Sequence, residues 1–442
     1  MENILYAGFC CQEIQPPLGL NIPGYYHTRP AEGTADPLRM RAAAFVCGDE
    51  KAVIFNVESI GIRAAAFEII KKHIATACDI SEDAIFINCV HSHTAFRILA
   101  VKEVDDLLDM FMLRLYMQFA DVAKLAFRDL KPAKILTASG EAKNIAFVRR
   151  YRMADGTVRT NPPVNDPSVV GPVDTPDEQL RMIRIQREGA KEICMLHFGT
   201  HADTIGGCYF SPDWPGYLVD QVNAALEGKV EAMFLLGCEG NCGTRNAMTK
   251  VKRPPKGVGL AKYMARQLTG VALQIYDRAQ PAASDCVRIA HTQVQIGKNA
   301  WDPEKLPQVE ELVKLYREQG EHAPGLDKYP DLHYREALRI HANLSRPEFF
   351  DLRISGVRIG DVSFIGIPGE AFSTIGMDIA AQSPAPMTVV TACTNGHEGY
   401  YPDVKAYGEP GYCYEKATSP FAADCATHLI SGSLKVLEEL NK

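Results

Sequence analysis

No stretch of this chain stays apolar for the roughly 20 residues that a bilayer crossing needs, so no membrane span is expected. Residues 1–6 lack a basic start followed by a long apolar run, which removes a secretion leader from the reading and favours the cytoplasm. Basic charge is not in excess. The 47 Lys and Arg stand against 54 Asp and Glu, and a net charge of −7 speaks against nucleic acid as a partner. No Cys-x-x-Cys pair occurs, so that zinc-binding pattern is excluded. The 13 cysteines are odd in number and often lie inside apolar runs (Cys89, Cys194, Cys393), the pattern of reduced, buried thiols. Internal repeats, low-complexity tracts and interdomain linkers are also missing.

What is present is an ordinary globular composition, 46% hydrophobic and 23% charged over 442 residues. Apolar runs at 41–47 and 52–57, separated by Gly48-Asp49-Glu50-Lys51, predict a hairpin. Three- and four-residue apolar spacing predicts helices over 64–77 and 101–130. A strand pair is expected at 133–150, and the Pro-, Asp- and Gly-rich segment 152–178 reads as loop. Ser211-Pro212-Asp213-Trp214-Pro215 predicts a helix start with Asp213 as its cap. Further strands fall at 193–198, 230–236, 362–367 and 388–393, with helices at 259–267 and 420–440. A charged helical cover spans about 302–345, in which His322, His333 and His341 read as solvated or structural. The expectation is an α/β fold with a mixed β-sheet core flanked by helices, and one domain over 1–442.

Chemistry concentrates where apolar runs end. The run Ile85-Phe86-Ile87-Asn88-Cys89-Val90 leads straight into His91-Ser92-His93-Thr94. If strand geometry continues, His91 and His93 share a face. Other runs end at His201, in the segment 237–246, at Glu370 and at Asn395 to Tyr400. Ligands of α/β sheets sit beyond the carboxyl ends of strands, so these ends form a candidate pocket. Two histidines, a glutamate and a tyrosine are a reasonable N/O set for Zn²⁺ with a place left for water. The plainer reading of His91 and His93 is a surface loop with two unrelated imidazoles.

The ordered set Gly8 to Gly19, Asp36-Pro37-Leu38, His91-Ser92-His93-Thr94, Thr200-His201-Ala202, Asp213-Trp214-Pro215-Gly216, Pro368-Gly369-Glu370, Asn395 to Tyr400 and Tyr414-Glu415 resembles the catalytic domain of the neutral ceramidases, zinc-dependent amide hydrolases. The resemblance implies Zn²⁺ held by His91, His201, Glu370 and Tyr400. It puts His93 near the substrate carbonyl, with Arg149 and Tyr414 as further catalytic residues. The sequence also departs from the family. Val148 replaces an Asn before Arg149, Ala95-Phe96-Arg97 replaces a Gly-Pro, and the catalytic Ser becomes Gly243 or shifts to Thr244. The family's C-terminal sandwich domain is not expected here.

These departures argue against ceramide and for a small soluble amide or N-acyl compound, with no membrane and no nucleic acid as partner. Arg97, Arg149 and Arg245 are candidates for an anionic group. Three other readings stay open: a carbohydrate esterase or deacetylase at the same metal site, an amidase using Cys242 as nucleophile, and a binding protein without turnover.

Overall fold

The computed structural model describes residues 4–102, 107–248, 253–329 and 332–442. Its larger sheet has nine strands. Eight of them run in the order Val230–Leu236, Glu192–Phe198, Gln179–Arg187, Lys131–Glu141, Leu5–Ile14, Leu38–Cys47, Glu50–Val57 and Ile85–Cys89, and Gln280–Ala282 pairs beside Lys131–Glu141. Pairing is antiparallel through the middle and parallel at both edges, where Val230–Leu236 lies along Glu192–Phe198 and Ile85–Cys89 along Glu50–Val57. A second sheet of four strands follows the order Val287–Gly297, Phe349–Ile359, Val362–Gly366, Met387–Thr391, again with a parallel last pair.

The two sheets share a core, and strand alternation explains why. Ala43, Phe45 and Ile54 point inward and join Phe86, Val357, Phe364 and Val389 in one cluster. Their neighbours Ala42, Ala44, Val53 and Phe55 point the other way, into a second cluster. Both faces are therefore apolar, and these strands read as continuous hydrophobic runs rather than alternating ones. Phe86 meets Phe364 edge-on at 6.4 Å across the sheets. Burying one such side chain contributes roughly 1.5–3 kcal/mol.

Helices Ala64–Cys78, Leu107–Arg128, Asp213–Ala225 and Val258–Tyr276 contribute to the outer cluster of the large sheet. Ser373–Ala381 and Cys425–Leu440 cover the small one. The mixed sheet core flanked by helices agrees with the sequence reading. The cover holds helices Leu306–Gln319 and Tyr334–Leu344 around a small core of its own, with Val309, Leu312, Ala337 and Ile340.

Local differences have physical causes. The segment 152–178 is not all loop: Val158–Thr160 and Val169–Pro172 flank Arg150–Met153 in a small sheet completed by the distant Gly411–Tyr412. Runs this short show no period in sequence. The expected strand pair at 133–150 is instead the strand Lys131–Glu141 plus Phe147–Val148, which pairs with Cys242–Gly243. Asp213 does not cap from outside the helix. It is the first helical residue, at φ 58°, and its buried carboxylate accepts from Thr204 N, Ile205 N and Trp214 N. It thereby ties the loop after His201 to the helix. Residues 103–106 of the predicted 101–130 helix, and Pro330 of the cover, lie outside the described residues.

Candidate metal centre

The segments that follow strands of the parallel pairs at the sheet edges converge. His91 follows Ile85–Cys89, His201 follows Glu192–Phe198, Glu370 follows Val362–Gly366, and Tyr400 follows Met387–Thr391. The two sheets are stitched where they meet, by the bridges Asn88 to Thr394 and Gly237 to Thr391. His91 Nε2 lies 3.4 Å from Glu370 Oε2, and His201 Nε2 lies 3.3 Å from the same oxygen. Two ligands about 2.1 Å from one tetrahedral ion are about 3.4 Å apart, so this spacing is that of ligands around a shared cation.

The tautomers follow from the partners. His91 Nδ1 faces the Ile60 carbonyl at 2.8 Å, and His201 Nδ1 faces the carbonyls of Cys242 and Glu239 at 2.9 and 3.1 Å. Each Nδ1 must carry the proton, which leaves each Nε2 lone pair aimed inward. His201 Nε2 and Glu370 Oε2 are buried without a hydrogen-bond partner. Unpaired buried acceptors are costly, so the donor set fits a divalent cation.

Sequence alternation does not bring His91 and His93 together. The strand stops at Cys89, and His91 sits at φ 60°. That left-handed turn is an uncommon, strained conformation for a residue with a side chain. It swings His93 Nε2 to 3.3 Å from His91 Nε2. Burial holds His93 well below its ordinary pKa, against the pull of Asp203, and it stays neutral. Gly24 packs on its ring: at φ 110°, a Cβ there would lie 2.8 Å from His93 Nδ1.

Tyr400 pairs with Glu370 in a two-residue parallel ladder, so one local element delivers both. Its ring stacks on His201 at 6.5 Å. Burial, and then the Glu370 carboxylate, push the phenol well above its ordinary pKa, while Arg149 opposes them. Arg149 lies over that ring at 5.6 Å, donates to the Gly240 carbonyl and pairs with Glu415 at 3.0 Å. The Tyr414 hydroxyl meets that of Tyr26 at 2.5 Å.

A cavity of about 820 Å³ joins these groups, lined by His91, His93, Glu370, Tyr400, Arg149 and Tyr414 among others. Gly243 and Thr244 are not among its lining residues. Gly243 lies behind Arg149, where a Cβ would meet Arg149 Cγ and Cδ at 3.3 Å. Arg245 is turned away and donates to the carbonyls of Asn161 and Pro162. Cys242 is fully buried, and burial pushes its thiol up to about 12, which makes it a poor nucleophile.

No family model matches the sequence, and no curated protein does. Solved structures do. Over its whole length the chain superposes on the crystal structure of neutral ceramidase from Pseudomonas aeruginosa, with a TM-score of 0.73, 14% identity and 75% of that chain covered. A ceramidase complexed with C2 gives a TM-score of 0.69, also at 14% identity and full coverage of this chain, with 76% of the other. The fold is that of the neutral ceramidases.

On this neutral-ceramidase fold the structure adds residues that the sequence reading gave no role. His397 Nε2 lies 2.9 Å from Glu370 Oε1. Burial and the adjacent Arg97 hold His397 down to about 3, so it is neutral. Arg97 donates to its Nδ1 at 2.5 Å, so Nε2 carries the proton and donates to Glu370. Glu239 is buried within reach of His91 and Glu370, and burial lifts its carboxyl to about 8. Both lay in segments singled out as polar strand ends, but nothing in one sequence identifies which polar residue faces inward. Among the described residues, three clusters of potential metal ligands share His91; their other members are Cys393 with His397, His93 with His201, and Glu239 with Glu370.

Proposed function

We propose that this chain is a zinc-dependent hydrolase that cleaves an amide (N-acyl) bond of a small soluble substrate. The observation that carries the reading is the pair of 3.3 and 3.4 Å separations from His201 Nε2 and His91 Nε2 to one unpartnered Glu370 oxygen. Zn²⁺, held by His91, His201, Glu370 and Tyr400, would supply an activated water and polarise the scissile carbonyl. His93, beside the ligand set, would steady the tetrahedral intermediate or move the proton. Arg149 and Tyr414 offer donors toward a developing oxyanion, a contribution that typically amounts to about 10²–10³ in rate per donor. His397 holds the Glu370 carboxylate in place. Gly243, set behind Arg149, would act only through that guanidinium.

The similarity to solved ceramidases supports this reaction class. Departures at Gly243 and Arg97 favour a substrate other than ceramide. An esterase or deacetylase would use the same groups, and an ester and amide pair tested side by side separates them. The Cys242 amidase is disfavoured by the thiol's burial. The test is elemental analysis of the wild type beside His201→Ala. About one zinc per wild-type chain, chelator-sensitive hydrolysis of N-acyl substrates, and loss of both in the variant are expected. Wild-type protein that takes up no zinc would sink the proposal.

A further inference from the structure

The cavity over the metal ligands is lined by six arginines: Arg63, Arg97, Arg149, Arg335, Arg339 and Arg346. Its acidic lining is Asp203, Glu370 and Glu398. A chain with a net charge of −7 has therefore gathered a positive surplus in one place. Two of the six already have carboxylate partners. Arg149 pairs with Glu415 at 3.0 Å, and Arg346 lies 3.6 Å from Glu398.

The others have no carboxylate partner among the described residues. Arg97 donates to His397 Nδ1, and Arg63 donates to the His397 carbonyl at 2.7 Å. Arg335 and Arg339 both stand 5.6 Å from the Tyr26 ring centre. Arg335 also donates to the Tyr334 hydroxyl at 2.9 Å. Burial, with Arg63 and Arg339 close by, pushes Arg97 down to about 10. Like charges held together in a partly enclosed space raise the energy of the empty cavity, and an anion relieves it.

The helix Tyr334–Leu344 is organised for this. Residues 335, 339, 342, 343 and 346 all line the cavity, the stripe expected of one helix face continued past its end. Tyr26, flanked by the two guanidiniums, contacts Tyr414, and the Tyr414 ring lies 6.0 Å from that of Tyr400. The charged wall and three of the proposed ligands, His91, Glu370 and Tyr400, therefore face one cavity, linked by a continuous chain of aromatic rings. Its 820 Å³ suits a small molecule, within the usual range of about 300–1,000 Å³ for ligand pockets.

We propose that Arg335 and Arg339, with Arg97, form a subsite for an oxyanion (a carboxylate, phosphate or sulfate) carried on the substrate. Resting on the hydrolase reading above, this makes the substrate an anionic N-acyl compound. A guanidinium fork pairs with such groups bidentately. An uncharged lipid tail at the same place would strip water from unpaired cations, which is unfavourable.

The test uses the full chain loaded with zinc. Inorganic phosphate and N-acetylglycine are titrated in thermal-shift assays against chloride at matched ionic strength. Turnover of N-acetylglycine is compared with that of neutral N-acetylglycinamide. Saturable stabilisation by either anion is expected. It should weaken at least about tenfold in Arg335→Met/Arg339→Met and by less in Arg335→Lys/Arg339→Lys, which keeps the charge but not the fork, with circular dichroism to check folding. No saturable effect on the wild type, or equal affinity in the Met variant, overturns the subsite; the latter outcome would leave the anion on the metal. The two readings fail separately. Anion binding that needs the arginines, without turnover of any amide, keeps the subsite and defeats the hydrolase. Preferential turnover of the neutral amide does the reverse.

Discussion

The sheet-end wall of the cavity and its helical wall differ in how many independent constraints fix each side chain. His91 is held by a backbone carbonyl, His201 by two, and Glu370 by His397, all at the ends of strands buried on both faces. Arg335 and Arg339 rest against aromatic faces, with one side-chain hydrogen bond at Arg335. The first wall suits a ligand of fixed geometry, because an ion tolerates little error in donor placement. The second suits a ligand whose shape varies and whose charge does not. A fold that keeps the first wall can therefore change substrate by rewriting the second.

The sharpest way to break this comparison is to remove a proposed zinc ligand from the rigid wall. Glu370→Ala should abolish zinc retention in elemental analysis and lower amide hydrolysis by at least about 10³-fold. Zinc at wild-type levels in that variant would show that the ligands lie elsewhere. A smaller effect is expected at the supporting position. His397→Ala leaves the ligands in place but frees Glu370 Oε1, and metal affinity measured by chelator competition should fall by about 10–100-fold. His397→Gln, which keeps an N–H donor, should recover part of the loss. A purely packing role would produce no such recovery. Gly24→Ala tests the contact between the loop and His93. Its Cβ has no room beside the imidazole, and φ 110° disfavours any side chain. The variant should lower kcat by roughly tenfold or more while zinc content stays near one per chain. An unchanged kcat would detach His93 from the reaction.

Sequence made one wall readable and not the other. Strands buried on both faces produce unbroken apolar runs, so their ends, and with them His91, His201 and Glu370, stand out without coordinates. The mixed sheet core with flanking helices was legible for the same reason. His397 was not, because its partner is 27 residues away and no spacing rule links an imidazole to the carboxylate it orients. The helix Tyr334–Leu344 carries a regular charge pattern, and on a helix that pattern normally marks a solvated face. Only tertiary packing turns the same stripe of arginines into a cavity wall. The left-handed turn at His91 was equally invisible, since the residue that adopts it is not glycine.

The last expected effect concerns how firmly the cover is held, and it separates the cover's stability from that of the sheets. Glu336 is buried on the helix Tyr334–Leu344 with one oxygen unpartnered, and burial pushes its carboxyl up to about 7, against the opposing charge of Lys305. Below about pH 4.5 the group is protonated whether folded or not, and nothing is lost. As pH rises toward 7 the unfolded chain releases the proton and the folded chain retains it, so stability falls by on the order of 2–3 kcal/mol. Glu336→Gln should remove that slope. Its advantage over the wild type in hydrogen exchange of the cover amides should be largest at about pH 8 and vanish near about pH 4. Because Val309, Leu312, Ala337 and Ile340 form a core separate from those of the sheets, the gain should appear in the cover amides and not in those of Ile85–Cys89. Equal protection of both regions would mean that cover and sheets open as one unit, and the contrast between a rigid wall and an adaptable one would lose its basis.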